Sequence, residues 1–291
     1  MKTLKLIRQN IYYNLKILAE LKNLRKFRVN QNQQFMRIPA LAGALLAASA
    51  LLAQTTPQKN LYGVAIVKPK EGQSLAFESA WAAHLKKFHE GKSARAVYEI
   101  VSGDHTGELQ LVEGPIGYAD MDVEMPNSKA HDMDFQSTIA SKLAWEKEGY
   151  TYRYIDSLSS TGDPITDKGL QSIYHIKPDK LQAFLKETRR SVMVNQKINS
   201  PSQSAAYLLV FAGSEPQLVL RRPLKNGFKE LDPGFFPSMT ETFKKAYIEA
   251  YGQADWDRRS APEYLYTMVN SYEQFLVKFR KDLSTAVTPT K

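Results

Sequence analysis

The chain has 291 residues, of which 43% are hydrophobic and 24% charged, so it is long enough for two globular domains of ordinary size. Its formal net charge of +9 is concentrated at the start, because residues 1–37 contain nine Lys or Arg and one Glu. Residues from 54 onward sum to about +1, which excludes a general attraction for nucleic acid. The absence of cysteine excludes disulfides, thiolate metal sites and a cysteine nucleophile.

An apolar run rich in Ala and Leu occupies residues 38–53 and follows Met36-Arg37. A short basic start, an apolar stretch of this length and small residues near its end are typical of a secretory signal peptide. The run is short for a membrane span. We therefore predict that residues 36–53 direct export to the periplasm or the medium and are then removed, so that no stable membrane insertion remains. A retained N-terminal anchor is the alternative.

Residues 1–35 precede this predicted signal, whereas a signal peptide normally opens a chain. The simplest interpretation is a mis-called start, with translation beginning at Met36. A basic organellar transit peptide is the alternative, because apolar residues recur at helical spacing from Ile7 to Leu18. The segment contains no serine, which favours the mis-called start.

Residues 61–157 have the pattern of one folded unit. Apolar residues at spacings of three and four predict a helix, and the alternation of Tyr150, Tyr152 and Tyr154 predicts a strand. In chain order we predict a strand over 61–67, a helix over 77–88, strands over 94–101 and 108–112 joined by a turn, a helix marked by Phe135, Ile139 and Leu143, and a strand over 150–157. This order is the split βαβ pattern of a ferredoxin-like fold.

The same order recurs in residues 170–283, after a polar linker at 158–169. Lys68-Pro69 matches Lys177-Pro178, 109 residues later, and Tyr150 matches Tyr264 at an offset of 114 residues. A nearly constant offset indicates two copies of one structural unit. The second unit is predicted to contain strands over 170–176, 205–211, 217–221 and 264–271, helices over 181–192 and 236–247, and an added C-terminal helix over 272–283.

Strands this apolar need both faces of their sheet covered, one by helices and the other by the second unit's sheet. The element order, the Lys-Pro after each first strand and the tyrosine strand ending each unit resemble the dimeric α/β-barrel superfamily, as a single-chain tandem repeat. That superfamily includes antibiotic-biosynthesis monooxygenases and NIPSNAP-like proteins. The resemblance covers roughly residues 61–280. It implies an α+β fold in which two tandem ferredoxin-like (βαββαβ) units form a pseudo-dimeric α/β barrel, and it leaves the function open.

The histidines are few and are candidates for chemistry. His84 and His89 are five residues apart, whereas one metal-binding helix face needs a spacing of three or four, so we predict no metal site and no cofactor. His131 and the acids after it fit a helix cap and a solvated loop as well as weak metal binding. His84, on the apolar stripe of the first helix, and His175, in a strand, are candidate catalytic residues, with a core role as the alternative.

The aromatic residues as a group fit a mostly apolar pocket in which a few hydroxyls orient a ligand, although cross-strand packing explains them too. The residues predicted to bind a ligand are Trp81, His84, Tyr98, Tyr152, His175, Tyr207 and Tyr266. We predict an exported protein, monomeric or homodimeric, that binds a small apolar or aromatic molecule in a barrel pocket. The alternatives are a cofactor-independent monooxygenase, with His84 or His175 accepting a proton, and a non-catalytic interaction scaffold.

Overall fold

A computed structural model describes residues 59–90, 94–123, 127–146, 149–160, 166–211, 213–236 and 239–285. All of them belong to one compact body. The predicted extension at 1–35 and the predicted signal peptide at 36–53 lie outside the described residues.

The described residues contain nine strands: β1 (Leu61–Pro69), β2 (Arg95–Ile100), β3 (Leu109–Ile116), β4 (Leu143–Glu146), β5 (Tyr150–Tyr154), β6 (Lys168–Ile176), β7 (Ala205–Phe211), β8 (Gln217–Pro223) and β9 (Val269–Phe279). Their α-helices are α1 (Ser74–Phe88), α2 (Tyr118–Met121), α3 (Ser128–Asp134), α4 (Leu181–Lys197), α5 (Met239–Tyr251), α6 (Gln253–Ser260) and α7 (Tyr264–Met268). A π-helical turn, Phe135–Ile139, and a 3-10 turn, Ala140–Lys142, connect α3 to β4.

Eight of the strands close into an antiparallel barrel. The first unit has the order β5-β1-β3-β2 and the second has the order β9-β6-β8-β7, which is the same arrangement. Pairing of β2 with β9 and of β5 with β7 joins the two units into a ring, and β4 lies beside the end of β1. The predicted fold class and the resemblance to the dimeric α/β-barrel superfamily are thereby confirmed at the level of the fold.

Alternation along the strands separates an inner core from two outer cores. Tyr62 and Ile66 on β1 point into the barrel, where they join Tyr98, Tyr207 and Phe275 in one buried cluster. Residues facing the other way contact the helices: an outer cluster against α1 contains Val67, Phe77 and Trp81, and one against α4 contains Ile176 and Phe184. The helix α1 forms because five side chains on one stripe are buried against the sheet, namely Phe77, Trp81, His84, Leu85 and Phe88.

The C-terminal part of the second unit differs from the sequence prediction. Residues 264–268 form α7, and residues 269–279 form β9, so the predicted strand over 264–271 and the predicted C-terminal helix over 272–283 are wrong. The offset of 114 between Tyr150 and Tyr264 underestimates the length of an insertion in the second unit. Tyr62 and Gln171 occupy equivalent positions and are 109 residues apart, whereas their strand partners, Tyr152 and Phe275, are 123 residues apart. Within β9 the apolar residues Phe275, Val277 and Phe279 alternate into the barrel.

The predicted second helix of the first unit also ends earlier than its pattern indicates. Leu143, which continues the spacing of Phe135 and Ile139, is the first residue of β4. The helical segment needs a π turn and a 3-10 turn to place these side chains in the core. The strand β6 begins at Lys168, inside the predicted linker, and the division into 61–157, 158–169 and 170–283 stays a prediction.

Candidate functional site

Among the cavities that the described residues line, two contain most of the residues predicted to bind a ligand. The first, which we call the lumen, has a volume of about 90 Å³, lies inside the barrel and is lined by residues of both units. The second, which we call the cleft, has a volume of about 560 Å³ and lies between the first unit's sheet and its helices. Small-molecule sites are usually clefts of about 300–1,000 Å³. The lumen is smaller than an engineered cavity of about 150 Å³ that holds benzene in another protein, so the cleft is the better ligand site.

The lumen is lined by tyrosines and by three buried glutamines, Gln110, Gln171 and Gln217. The Tyr152 hydroxyl donates a hydrogen bond of 2.9 Å to Gln217 Oε1. Burial raises the pKa of Tyr152 above its usual value, so this hydroxyl keeps its proton and remains a donor at neutral pH. Tyr207 packs edge-on against Tyr62, with ring centroids 5.4 Å apart. The lumen is therefore a packed core of aromatic, aliphatic and amide side chains with a small remaining volume.

His175 lies at the lumen between two carboxylates. Its Nδ1 is 3.0 Å from Glu215 Oε1 and its Nε2 is 3.2 Å from Glu273 Oε1. Because both ring nitrogens already have carboxylate partners, the side chain has no nitrogen left to accept a proton from a ligand. This arrangement favours a structural role for His175 over the predicted catalytic one.

The cleft combines apolar walls with a charged rim. Its walls include Trp81 from α1 and Phe135 from the π turn, and its floor includes Gly63 on β1. A Cβ atom added at Gly63 would meet no other atom within 4 Å, so the floor is open at this position. On the rim, Arg95 Nη2 donates to Glu113 Oε2 over 2.7 Å.

Three histidines converge beside the cleft, and we call them the histidine cluster: His84, His89 and His131. The Nε2 atom of His84 is 3.2 Å from that of His131 and 3.4 Å from that of His89, and the remaining pair is 3.1 Å apart. The side chains of His84 and His89 are each only 1% exposed, whereas that of His131 is 15% exposed. His84 and His131 also line the cleft.

The convergence of these rings was not expected from their spacing, because His89 does not lie on the helix. The helix α1 ends at Phe88, and His89 follows with φ −122° and ψ −3°, so its ring turns back toward His84. His131 comes from α3, 42 residues after His89. A signal was present in the sequence: these three histidines lie in or directly after helical segments of the first unit, and the corresponding residues 170–283 contain only His175.

Carboxylates fix the protonation of two rings in the histidine cluster. His84 Nδ1 donates to Asp134 Oδ2 over 2.9 Å, and His131 Nδ1 donates to Asp132 Oδ1 over 3.0 Å. An ionised carboxylate can only accept, so Nδ1 carries a proton in both rings, and in the neutral form of each ring Nε2 presents its lone pair. The pKa of Asp134 is lowered, first by its hydrogen bond from Lys87 and then by that from His84. Burial lowers the pKa of His84, so its ring is neutral near pH 7.

The residues predicted to bind a ligand are divided among different places. Trp81 and His84 line the cleft, whereas Tyr152, His175 and Tyr207 line the lumen. Tyr98 packs inside the barrel, 5.5 Å from Phe279 and 4.3 Å beneath the Arg221 guanidinium. Tyr266 is 56% exposed on α7 and lines neither cavity, because the strand predicted for it begins three residues later. Their ligand-binding roles stay predictions.

Comparisons with known proteins give structural neighbours of low sequence identity. No family profile matches the chain, and no curated protein matches it. A proposed monooxygenase from Fusobacterium nucleatum has a similar structure, with a TM-score of 0.48 and 11% identity over 79% of this chain and 95% of that one. A proposed monooxygenase from Lactobacillus acidophilus has a TM-score of 0.46 and 10% identity over 78% of this chain and 96% of that one. A chlorite dismutase variant from Candidatus Nitrospira defluvii has a TM-score of 0.44 and 10% identity over 78% of this chain and 94% of that one.

The fold is assigned from the strand order described above, and the activities in those names remain properties of those proteins. Within the described ranges, no helix combines the length and the apolar character that crossing a membrane requires.

Proposed function

We propose that the protein is exported and binds a small, mostly apolar or aromatic molecule in the cleft. The observation that carries this proposal is the cleft itself, which has a ligand-sized volume of about 560 Å³ and Trp81 in its wall. Export is supported by the apolar run at 38–53 and directs the protein to the periplasm or the medium. The near-neutral charge after residue 54 supports a partner that is a small molecule rather than nucleic acid.

The lining of the cleft supports this class of ligand. Trp81, Phe135 and Tyr150 offer ring faces and edges against which an aromatic or apolar body packs. The Arg95–Glu113 pair offers charged groups at the rim, and His131 offers a ring edge. A few polar groups among apolar walls orient a ligand without requiring that it be charged.

The test is native mass spectrometry of the chain purified from its own host under gentle conditions and without an affinity tag. A reproducible extra mass of a small organic molecule is expected. In Gly63→Leu the new side chain enters the open floor of the cleft, so retention of that mass should fall at least tenfold. Gly63→Ala, which adds a single carbon, is the matched control and should retain the molecule.

A chain that carries no molecule, or that retains one equally in Gly63→Leu, would contradict binding in the cleft. A chain that carries no molecule would favour the remaining alternative, a non-catalytic scaffold that interacts through its surface. A pulldown from the host with a matched surface-charge variant would then be the next step. The oligomeric state, monomer or homodimer, is read from the same native spectra.

A cofactor-independent monooxygenase is the second candidate, and the position of His84 favours it. This residue lines the cleft, and its Nε2, when no metal ion occupies it, presents a lone pair that can accept a proton from a bound substrate. Oxygen consumption should then accompany addition of the molecule found by mass spectrometry and should persist after treatment with a chelator. Turnover that disappears with the chelator would contradict the cofactor-independent mechanism.

A further inference from the structure

We infer that His84, His89 and His131 hold one divalent transition-metal ion, and that Zn²⁺ is the ion whose preferences they fit best. This inference goes beyond the proposed binding of an organic molecule and does not depend on it. Three observations carry it: the distances among the nitrogens, the direction of their lone pairs and the surroundings of the rings.

The distances match those of a metal centre. In a tetrahedral zinc site each Zn–N bond is about 2.0–2.1 Å, which separates any two ligand nitrogens by about 3.3–3.4 Å. The three Nε2 atoms are 3.1, 3.2 and 3.4 Å apart. An ion placed about 0.8 Å out of their plane would lie at bonding distance from all three. The three Nε2 atoms thus form a nearly equilateral ligand face without rearrangement.

The lone pairs need a positive charge between them. The Nδ1 protons of His84 and His131 point to Asp134 and Asp132, so the two Nε2 lone pairs face each other over 3.2 Å. A protonated His89 Nε2 can donate a well-aligned hydrogen bond to one of these lone pairs, but the contact between His84 and His131 then remains repulsive. A cation bound by all three nitrogens removes the repulsion and satisfies each lone pair.

The surroundings of the rings resemble the outer shell of a metal site. Histidine ligands commonly donate their other N–H to a carboxylate, which fixes the tautomer and makes the ligating nitrogen more basic. His84 and His131 each have such a carboxylate, and Asp134 is itself held by Lys87 Nζ at 2.9 Å. His84 and His89 are nearly inaccessible to water, so competition from water for the ion is small.

The ligand set selects the class of metal. Imidazole nitrogens suit zinc, copper, iron and nickel, and the chain has no thiolate to offer. Among the residues that the structure describes, the group of convergent donors consists of these three histidines. Three protein ligands and an open position are typical of catalytic rather than structural zinc.

The open position gives the inferred ion a chemical role. Two of its three ligands line the cleft, so an ion held there borders the space in which we place the organic molecule. It would take a water molecule or an oxygen or nitrogen atom of that ligand as its remaining donor. The ligand class that fits both features is an apolar or aromatic molecule with a hydroxyl, carbonyl or carboxylate at one end. This last step rests on the proposed function.

The experiment measures metal in the chain produced without a histidine tag. Elemental analysis of protein from its host is expected to give one zinc per chain. After removal of the metal, titration against a competing chelator gives the affinity for Zn²⁺, and absorption of the Co²⁺ form reports four-coordinate geometry. Asp134→Asn should weaken binding by about 10- to 100-fold, and His131→Gln by more than that.

His175→Gln is the matched control, because His175 lies at the lumen with two carboxylate partners and should leave zinc affinity unchanged. His131 is the ligand to replace first, since it is the most exposed of the three and its loss disturbs the core least. Should His131→Gln fail to fold, Asp134→Asn carries the same test, because Asp134 is partly exposed and keeps its size as asparagine.

The inference is overturned if the metal-free wild-type chain binds no ion at micromolar free zinc. It is equally overturned if His131→Gln and Asp134→Asn bind zinc as tightly as His175→Gln, because the ion would then lie elsewhere. Neither result bears on the cleft, since Gly63→Leu changes the floor and leaves the histidine nitrogens in place. The two proposals can therefore fail separately.

Discussion

At the scale of single residues, the lumen contains a buried polar pair with one clear donor. Tyr152 and Gln217 form this pair, in which the hydroxyl donates to the amide oxygen over 2.9 Å and both side chains are less than 10% exposed. A buried acceptor that loses its donor costs more free energy than the hydrogen bond contributes net. Substitutions in the lumen should therefore change the stability of the fold, whereas substitutions in the cleft should change ligand binding.

Tyr152→Phe removes the donor and leaves Gln217 Oε1 unsatisfied. We expect the free energy of unfolding to fall by about 1–3 kcal/mol, measured by urea denaturation. The double variant Tyr152→Phe/Gln217→Leu should recover part of the loss, because no polar atom is then left alone. Retention of a molecule in the cleft should not change in either variant, and a loss of it would show that the ligand lies in the lumen.

At the scale of elements, the segment that follows β9, residues 280–284, joins the two units. Trp81 Nε1 on α1 donates to the Leu283 carbonyl over 2.9 Å, and Arg280 contacts both carboxylate oxygens of Glu78 at 3.0 and 2.9 Å. The backbone N–H of Val97 on β2 donates to Ser284 Oγ over 2.9 Å. Residues that follow the second unit's last strand thus complete the first unit's outer core.

Leu283→Ala should be strongly destabilising, because Leu283 is 2% exposed within the cluster that contains Phe77 and Trp81. The expected loss in the free energy of unfolding is about 2–5 kcal/mol, from lost burial and the cavity left behind. Leu231→Ala is the matched control: this leucine is 37% exposed, and its loss should cost less than about 1 kcal/mol. Equal effects in calorimetry would mean that the chain end does not contribute to the first unit's core.

The same scale shows what sequence patterns can and cannot predict. The order of strands and helices was predictable because each element has its own period, as in α1, where buried residues recur every three or four positions. The strand β9 was not predictable, because the spacing of Phe275, Leu276 and Phe279 fits one face of a helix as well as it fits a strand. The histidine cluster was missed for another reason: its rings come from two segments that only the tertiary structure brings together.

At the scale of the whole molecule, the two units have the same strand order and different chemistry. The first places three histidines beside its helices, whereas the second buries Glu187 there, with Tyr247 donating to it over 3.0 Å and Arg190 over 2.9 Å. A single chain allows this divergence, because its two halves mutate independently. The inferred stoichiometry is accordingly one metal ion per chain.

The barrel should unfold in one step. Pairing of β2 with β9 and of β5 with β7 makes each unit's sheet part of the other's, so neither can lose its strands alone. In variants that retain only Trp81 as reporter of the first unit, or only Trp256 for the second, the thermal midpoint by fluorescence should equal the midpoint of the same variant by far-UV circular dichroism. Saturating zinc should raise both midpoints equally. Two separate midpoints would contradict a single cooperative body.

The position of β9 has a further consequence during synthesis. This strand lies between β2 and β6, yet it is the last of the described strands to be made, and β2 precedes it by about 170 residues. Until it is in place, β2 and β6 each present an unpaired edge, and such edges invite pairing with other chains. A chain interrupted before residue 269 is therefore an open sheet prone to aggregation rather than a smaller version of this protein.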